Sequence, residues 1–125
     1  MPYIASQDRR KGLWEGLYRP NTAAEVNFLI SKYYLTFDEK RIDDVTHFQD
    51  TVQSIIEDYI QDAGLGYQIL NDLVGVLGCV QGEMLRRHNY KHLFNGVLKN
   101  RLSALFTEVI NIYEKKKLED NGDIV

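Results

Sequence analysis

The sequence predicts an all-α protein, a single-domain helical bundle of about five helices, and three observations lead there. Apolar residues recur at intervals of three and four along nearly the whole chain, the period of a helix that buries one stripe. Capping and breaking residues punctuate that pattern and leave short connections, which favours long antiparallel neighbours. A length of 125 residues with 44% hydrophobic content suits one core without metal or disulfide staples, and two prolines with no long polar tract argue against disorder.

Ser6 can cap a short first helix that runs through about Leu17, with Leu13, Trp14 and Leu17 on one side, before Pro20 disfavours helix at Arg19. Thr22 and Glu25 then have capping-box spacing, and a second helix follows with Val26, Leu29, Ile30, Tyr33 and Phe37 facing inward. The aromatic and β-branched residues of "FLISKYYLTF" would also suit a strand, but the cap and the spacing favour helix. The third helix is the most regular, with Val45, Phe48, Val52, Ile55, Ile56, Tyr59 and Ile60 on one face. Asp43 and Asp44 complement its N-terminal dipole, and Gly64 is placed to end it.

A fourth helix is predicted from about Tyr67 to Arg87, with Leu70, Leu73, Val74, Leu77, Val80, Met84 and Leu85 inward. It carries Gly75, Gly78 and Gly82, each of which weakens a helix by about 1 kcal/mol relative to alanine. These three are read as a helix-packing face, where a neighbouring backbone approaches closely. Asn89 can cap a fifth helix whose apolar residues, from Leu93 to Tyr113, continue to about Lys117. Lys115, Lys116 and Lys117 would then meet the carbonyl end of its dipole. Asn121-Gly122 turns the chain, and Ile124 and Val125 are expected to fold back over an apolar groove.

The formal charge of −3 argues against a broad nucleic-acid surface. The single cysteine, Cys79, cannot form an intramolecular disulfide, fits a reducing compartment, and lies among apolar residues as a small core residue would. The N-terminus has no run suited to a signal peptide, and no segment approaches the roughly 20 apolar residues that span a bilayer. The expected location is the cytoplasm.

Three groups of side chains could carry chemistry. From Met84 to Thr107 there is no acid, and Arg86, Arg87, Lys91, Lys99 and Arg101 form a candidate anionic-ligand patch for a nucleotide or nucleic acid, with Tyr90 and Phe94 nearby to stack on a base. The competing reading gives the basic residues to the end of the fourth helix and to pairing with the acidic third helix, in the same chain or a neighbour. Glu57, Asp58, Asp62, Asp72 and Glu83 could hold Mg2+ as paired helical carboxylates do in all-α nucleoside-triphosphate pyrophosphohydrolases, although Asp72 and Glu83 are three turns apart. The alternative is a solvated acidic face. His88 and His92 have the spacing of two metal ligands but lack a third, and read as surface histidines. No nucleophile elbow and no phosphate-cradling glycine loop is present. The eight tyrosines and one tryptophan exceed what so small a core can hide, which favours a protein-binding surface.

Several stretches resemble a family of small uncharacterised bacteriophage and bacterial proteins. The start "MPYI" followed by "ASQDRR", the segment "EVNFLIS", the run "LGYQILNDLVGVLGCVQGEMLRR" and the ending "YEKKKLEDNGDIV" occur in the family's order and cover roughly half the chain. Gly78 stands where the family has glutamate before the cysteine, and "HNYKHLFNGVLKNRLSALFT" separates two parts the family joins. The resemblance implies an all-helical, phage-borne accessory protein and supplies no catalytic residue. With the absence of a convergent catalytic set, the expectation is a non-enzymatic module without cofactor or metal, which binds itself or a host or phage protein.

Overall fold

The computed structural model describes residues 19–121. Its helices are α1 (Ala23–Thr36), α2 (Ile42–Ala63), α3 (Tyr67–Arg86) and α4 (His92–Ala104), the last continuing through a π-helical segment (Leu105–Ile110) into α5 (Asn111–Asn121). No strand occurs among the described residues. Four of the expected helices are therefore present, the last as one rod from His92 to Asn121. The helix predicted through Leu17 and the fold-back of Ile124 and Val125 lie outside the described residues.

Each boundary has a local cause. The Thr22 hydroxyl accepts the Glu25 N–H at 3.2 Å, while the Glu25 carboxylate accepts the Asn21 N–H at 2.9 Å, one residue earlier than the predicted capping box. Gly64 ends α2 at φ +87°, a conformation that would strain any other residue. At the end of α3, His88 adopts φ +55° and donates to the Leu85 carbonyl (3.1 Å), and Asn89 donates to that of Met84 (3.0 Å). This is a Schellman ending with histidine in the usual glycine position. Asn89 thus closes α3 and does not cap α4, which begins at His92. The rod runs to Asn121, so Lys115, Lys116 and Lys117 precede its last turn.

Around the bundle, α1 packs on α2 and α3, and α4 packs on the same two from the other side. Val26, Ile30, Val52, Leu73, Leu77, Val80 and Leu98 fill the centre. Near the end of α1, Phe48 and Phe94 stack at 4.4 Å, and Tyr34 meets both edge-on at 5.9 and 5.5 Å. Three predicted inward positions shift. Tyr34 is fully buried and Tyr33 only partly. On α3, Val76 is buried and Val74 half-buried, while Leu85 is 63% exposed. Cys79 is half-buried, at the margin of the core.

Candidate functional site

The basic segment divides among separate local tasks. The Lys91 ammonium reaches back to the end of α1, donating to the carbonyls of Tyr34 and Phe37, both at 2.7 Å. It lies 5.2 Å from the Phe94 ring centroid and 5.5 Å from that of Tyr34. Burial pushes its pKa below the usual lysine value, against the opposing pull of Asp38, Glu39 and Asp44. In the opposite direction, the Glu39 carboxylate accepts the Leu93 N–H at 3.0 Å, in the first turn of α4. Two helix ends therefore exchange caps, the cation at the carbonyl end of α1 and the anion at the amide end of α4.

Tyr34 completes this junction. Its hydroxyl oxygen accepts the Lys91 N–H at 2.6 Å and the Asn95 side-chain amide, and its own proton is directed at the Lys91 carbonyl, 3.4 Å away. Burial raises the Tyr34 pKa above that of a free tyrosine. Lys91 thus serves the fold, satisfying carbonyls that α1 would otherwise leave open.

Arg86 and Arg87 both pair with one buried carboxylate. Glu83 Oε1 accepts from Arg86 Nη2 and Arg87 Nε, each at 2.6 Å, and Oε2 accepts from Arg86 Nε at 3.2 Å. Lys99 is exposed. Arg101, about 200° further round α4, contacts the Gln53 side chain at 3.4 Å in a cleft of about 100 Å³ that Glu57 and Glu108 also line. The five cations of the predicted patch therefore occupy four settings, with Arg86 and Arg87 sharing Glu83 and Arg101 lying beside Glu57 and Glu108.

The acidic side chains are likewise dispersed. Glu57 accepts from Gln53 at 3.0 Å, and Asp62 pairs with Arg19 at 3.1 Å. Asp72 accepts from Gln68 at 2.8 Å and from the Tyr59 hydroxyl, whose pKa is raised by burial and then by that carboxylate. Asp58 is half-buried. Among the described residues no group of three or more histidines, cysteines or carboxylates could hold a metal ion. His88 occupies the turn after α3, while His92 opens α4 with its ring edge-on to Tyr90 at 4.8 Å.

Two surfaces have no partner among the described residues. On α3, Gly75, Gly78 and Gly82 face outward, and a Cβ added at any of them would meet nothing within 4 Å. Among the described residues no other helix approaches them, so the predicted packing face is open there. Gln68, Asn71 and Leu85 extend it at helical spacing, and no exposed residue of α3 before Arg86 is charged. The second surface is a groove of about 460 Å³ beside α5, where Leu65, Val109, Ile112 and Tyr113 lie among charged side chains. Its local signal in the sequence is the three- and four-residue spacing of Val109, Ile112, Tyr113 and Lys116.

Among the described residues no helix is long and apolar enough to cross a membrane. No protein-family model, curated protein or solved structure matches the chain.

Proposed function

We propose that this protein is a non-enzymatic accessory module that acts by binding other proteins, a second copy or a host or phage component, through the outward face of α3. One observation carries the reading. Gly75, Gly78 and Gly82 sit mid-helix in open space, where each weakens the helix by about 1 kcal/mol and none relieves a contact among the described residues. Their use lies outside the chain, in letting another backbone approach closely. Asp72, half-buried and held by Gln68, is the only charged side chain of α3 before Arg86 that reaches the surface, which keeps the desolvation cost of such an approach low. A cytoplasmic setting agrees with the lone cysteine, and the resemblance to small phage and bacterial proteins agrees with an accessory role.

The test separates stability from binding. Replacing Gly75, Gly78 and Gly82 together by alanine is expected to raise the melting temperature, since exposed helical glycines gain about 0.5–1 kcal/mol each on that change. The same variant, and Gly78→Arg, should lose capture of the partners that wild type retains from host lysate. Equal capture by all three proteins would refute the α3 reading, as would a triple-alanine variant that melts lower than wild type.

A further inference from the structure

We propose that the cleft between α2 and the π segment binds a short zwitterion, an amino acid the size of glycine or alanine, with its carboxylate on Arg101 and its ammonium between Glu57 and Glu108. This goes beyond the α3 reading and uses a different surface.

The cleft, of about 100 Å³, opens where α2 passes the junction of α4 with the π segment. Ile56 and Leu105, both buried, form its apolar wall. Arg101 is half-buried beside them, and a guanidinium presents a fork of donors. Among the described residues only one of those donors has an acceptor, the Gln53 side-chain oxygen, and at 3.4 Å that bond is long. Glu57 and Glu108 line the same cleft, yet neither pairs with Arg101. The Glu108 carboxylate has no hydrogen bond or ion pair among the described residues. Opposite charges thus border one space without closing on each other. Leu105, Glu108 and Val109 come to it from the π segment, a geometry that recurs at functional sites.

Gln53 shows the polarity of that space. Its carboxamide oxygen is turned to Arg101, and its NH2 group donates to Glu57 at 3.0 Å. The carboxamide is a neutral stand-in for a molecule that is anionic at one end and cationic at the other. Gln53 is exposed, so its side chain is free to swing into solvent and yield its place. A simple anion would satisfy Arg101 but face two carboxylates, and a simple amine would satisfy the carboxylates but face the guanidinium. A zwitterion gives each group its complement, and its carboxylate accepts from the guanidinium bidentately. The volume equals that of about three water molecules, which limits the ligand to roughly six non-hydrogen atoms.

A ligand this small in a half-open cleft predicts a dissociation constant on the order of 1 mM. Titration of the isotope-labelled full chain with glycine or alanine, followed by NMR, should shift the Arg101 Nε–H signal and the backbone amides of Gln53, Glu57 and Glu108 saturably. Acetate and methylamine, each carrying half of the ligand's charge pair, should bind at least about tenfold more weakly. Arg101→Gln should weaken glycine binding at least about tenfold and Glu108→Gln about threefold. Gln53→Ala removes the internal competitor and should tighten it at least about twofold, with unchanged helical circular dichroism throughout. Absence of a saturable shift up to about 50 mM glycine would overturn the proposal. So would acetate or methylamine binding as tightly as glycine, an Arg101→Gln variant that binds like wild type, or a Gln53→Ala variant that binds more weakly. Gly78→Arg should bind glycine normally, and Arg101→Gln should still capture partners through α3, so either proposal can fail alone.

Discussion

The rod that begins at His92 is held very differently at its two ends. At its start, Glu39 meets the first-turn amides, Tyr34 accepts from Lys91 and Asn95, Lys91 covers the end of α1, and Phe94 stacks in the aromatic cluster. At its far end, α5 carries exposed apolar and charged side chains along one face. The difference shows how a small bundle divides its polar chemistry. Charges at the start are spent on backbone groups that two helix ends leave open, whereas among the described residues no charged side chain of α5 caps another helix and Glu114 meets only the Tyr67 hydroxyl. A basic segment in sequence is therefore a poor guide to a binding site until its members have been assigned to the backbone they satisfy.

The sharpest way to break this contrast is a matched pair of truncations on the one rod. Phe94→Ala removes a fully buried ring stacked on Phe48 and should lower the free energy of unfolding in urea by about 3–5 kcal/mol. Ile112→Ala, at a side chain 63% exposed, should change it by less than about 0.5 kcal/mol. Similar losses from the two would mean that α5 is as firmly integrated as α4.

A subtler change tests the polar part of the start. Tyr34→Phe keeps the ring but leaves the Lys91 N–H without its acceptor and the Asn95 amide with the Lys91 carbonyl alone, which should cost about 1–3 kcal/mol. The same tyrosine gives a pH signature. Burial raises the pKa of Tyr34, as it does that of Tyr59, so above pH 10.0 the folded protein keeps protons that the unfolded chain releases. Stability contributed this way is complete below that pH and is lost as the pH climbs through the folded values. Lys91 acts oppositely. Its lowered pKa makes the folded state shed a proton first in the window below 10.5, where stability gains with rising pH. With two buried tyrosines against one lysine, wild type should lose stability above about pH 10, and Tyr34→Phe should show a shallower fall. An unchanged alkaline slope would remove Tyr34 from this role.

The helices were legible because the stripe of Phe48, Val52, Ile55, Ile56 and Tyr59 has a single period and turns mark its ends. What could not be read was the choice between neighbours and the partner at long range. Tyr33 and Tyr34 are adjacent aromatics about 100° apart on a helix, and the long-range partners of Tyr34, the α4 start and the rings of Phe48 and Phe94, select it for the interior. Asn89 looked like a cap by residue type, but the carboxylate that meets the α4 amides belongs to Glu39, on the connection before α2. The glycines of α3 were recognised as unusual, and their outward placement became visible only once Val76, Leu77 and Val80 fixed the buried stripe. The α5 groove combines a loop residue, Leu65, with a helix far along the chain, a pairing no local pattern encodes.

The smallest effect concerns the turn that delivers the chain to the locked end. His88 holds φ +55°, where the Cβ of an L-residue crowds the following carbonyl at a cost of about 1–2 kcal/mol. Glycine carries no such strain and surrenders more entropy on folding, so His88→Gly should stabilise the protein by about 0.5–1 kcal/mol. The two carbonyl bonds of the Schellman ending come from the backbone and survive the change. If the variant gains stability, the Tyr34, Lys91 and Glu39 contacts alone set where the rod begins. If it loses stability, the imidazole itself must hold the turn in place, and the locked end extends back to the last turn of α3.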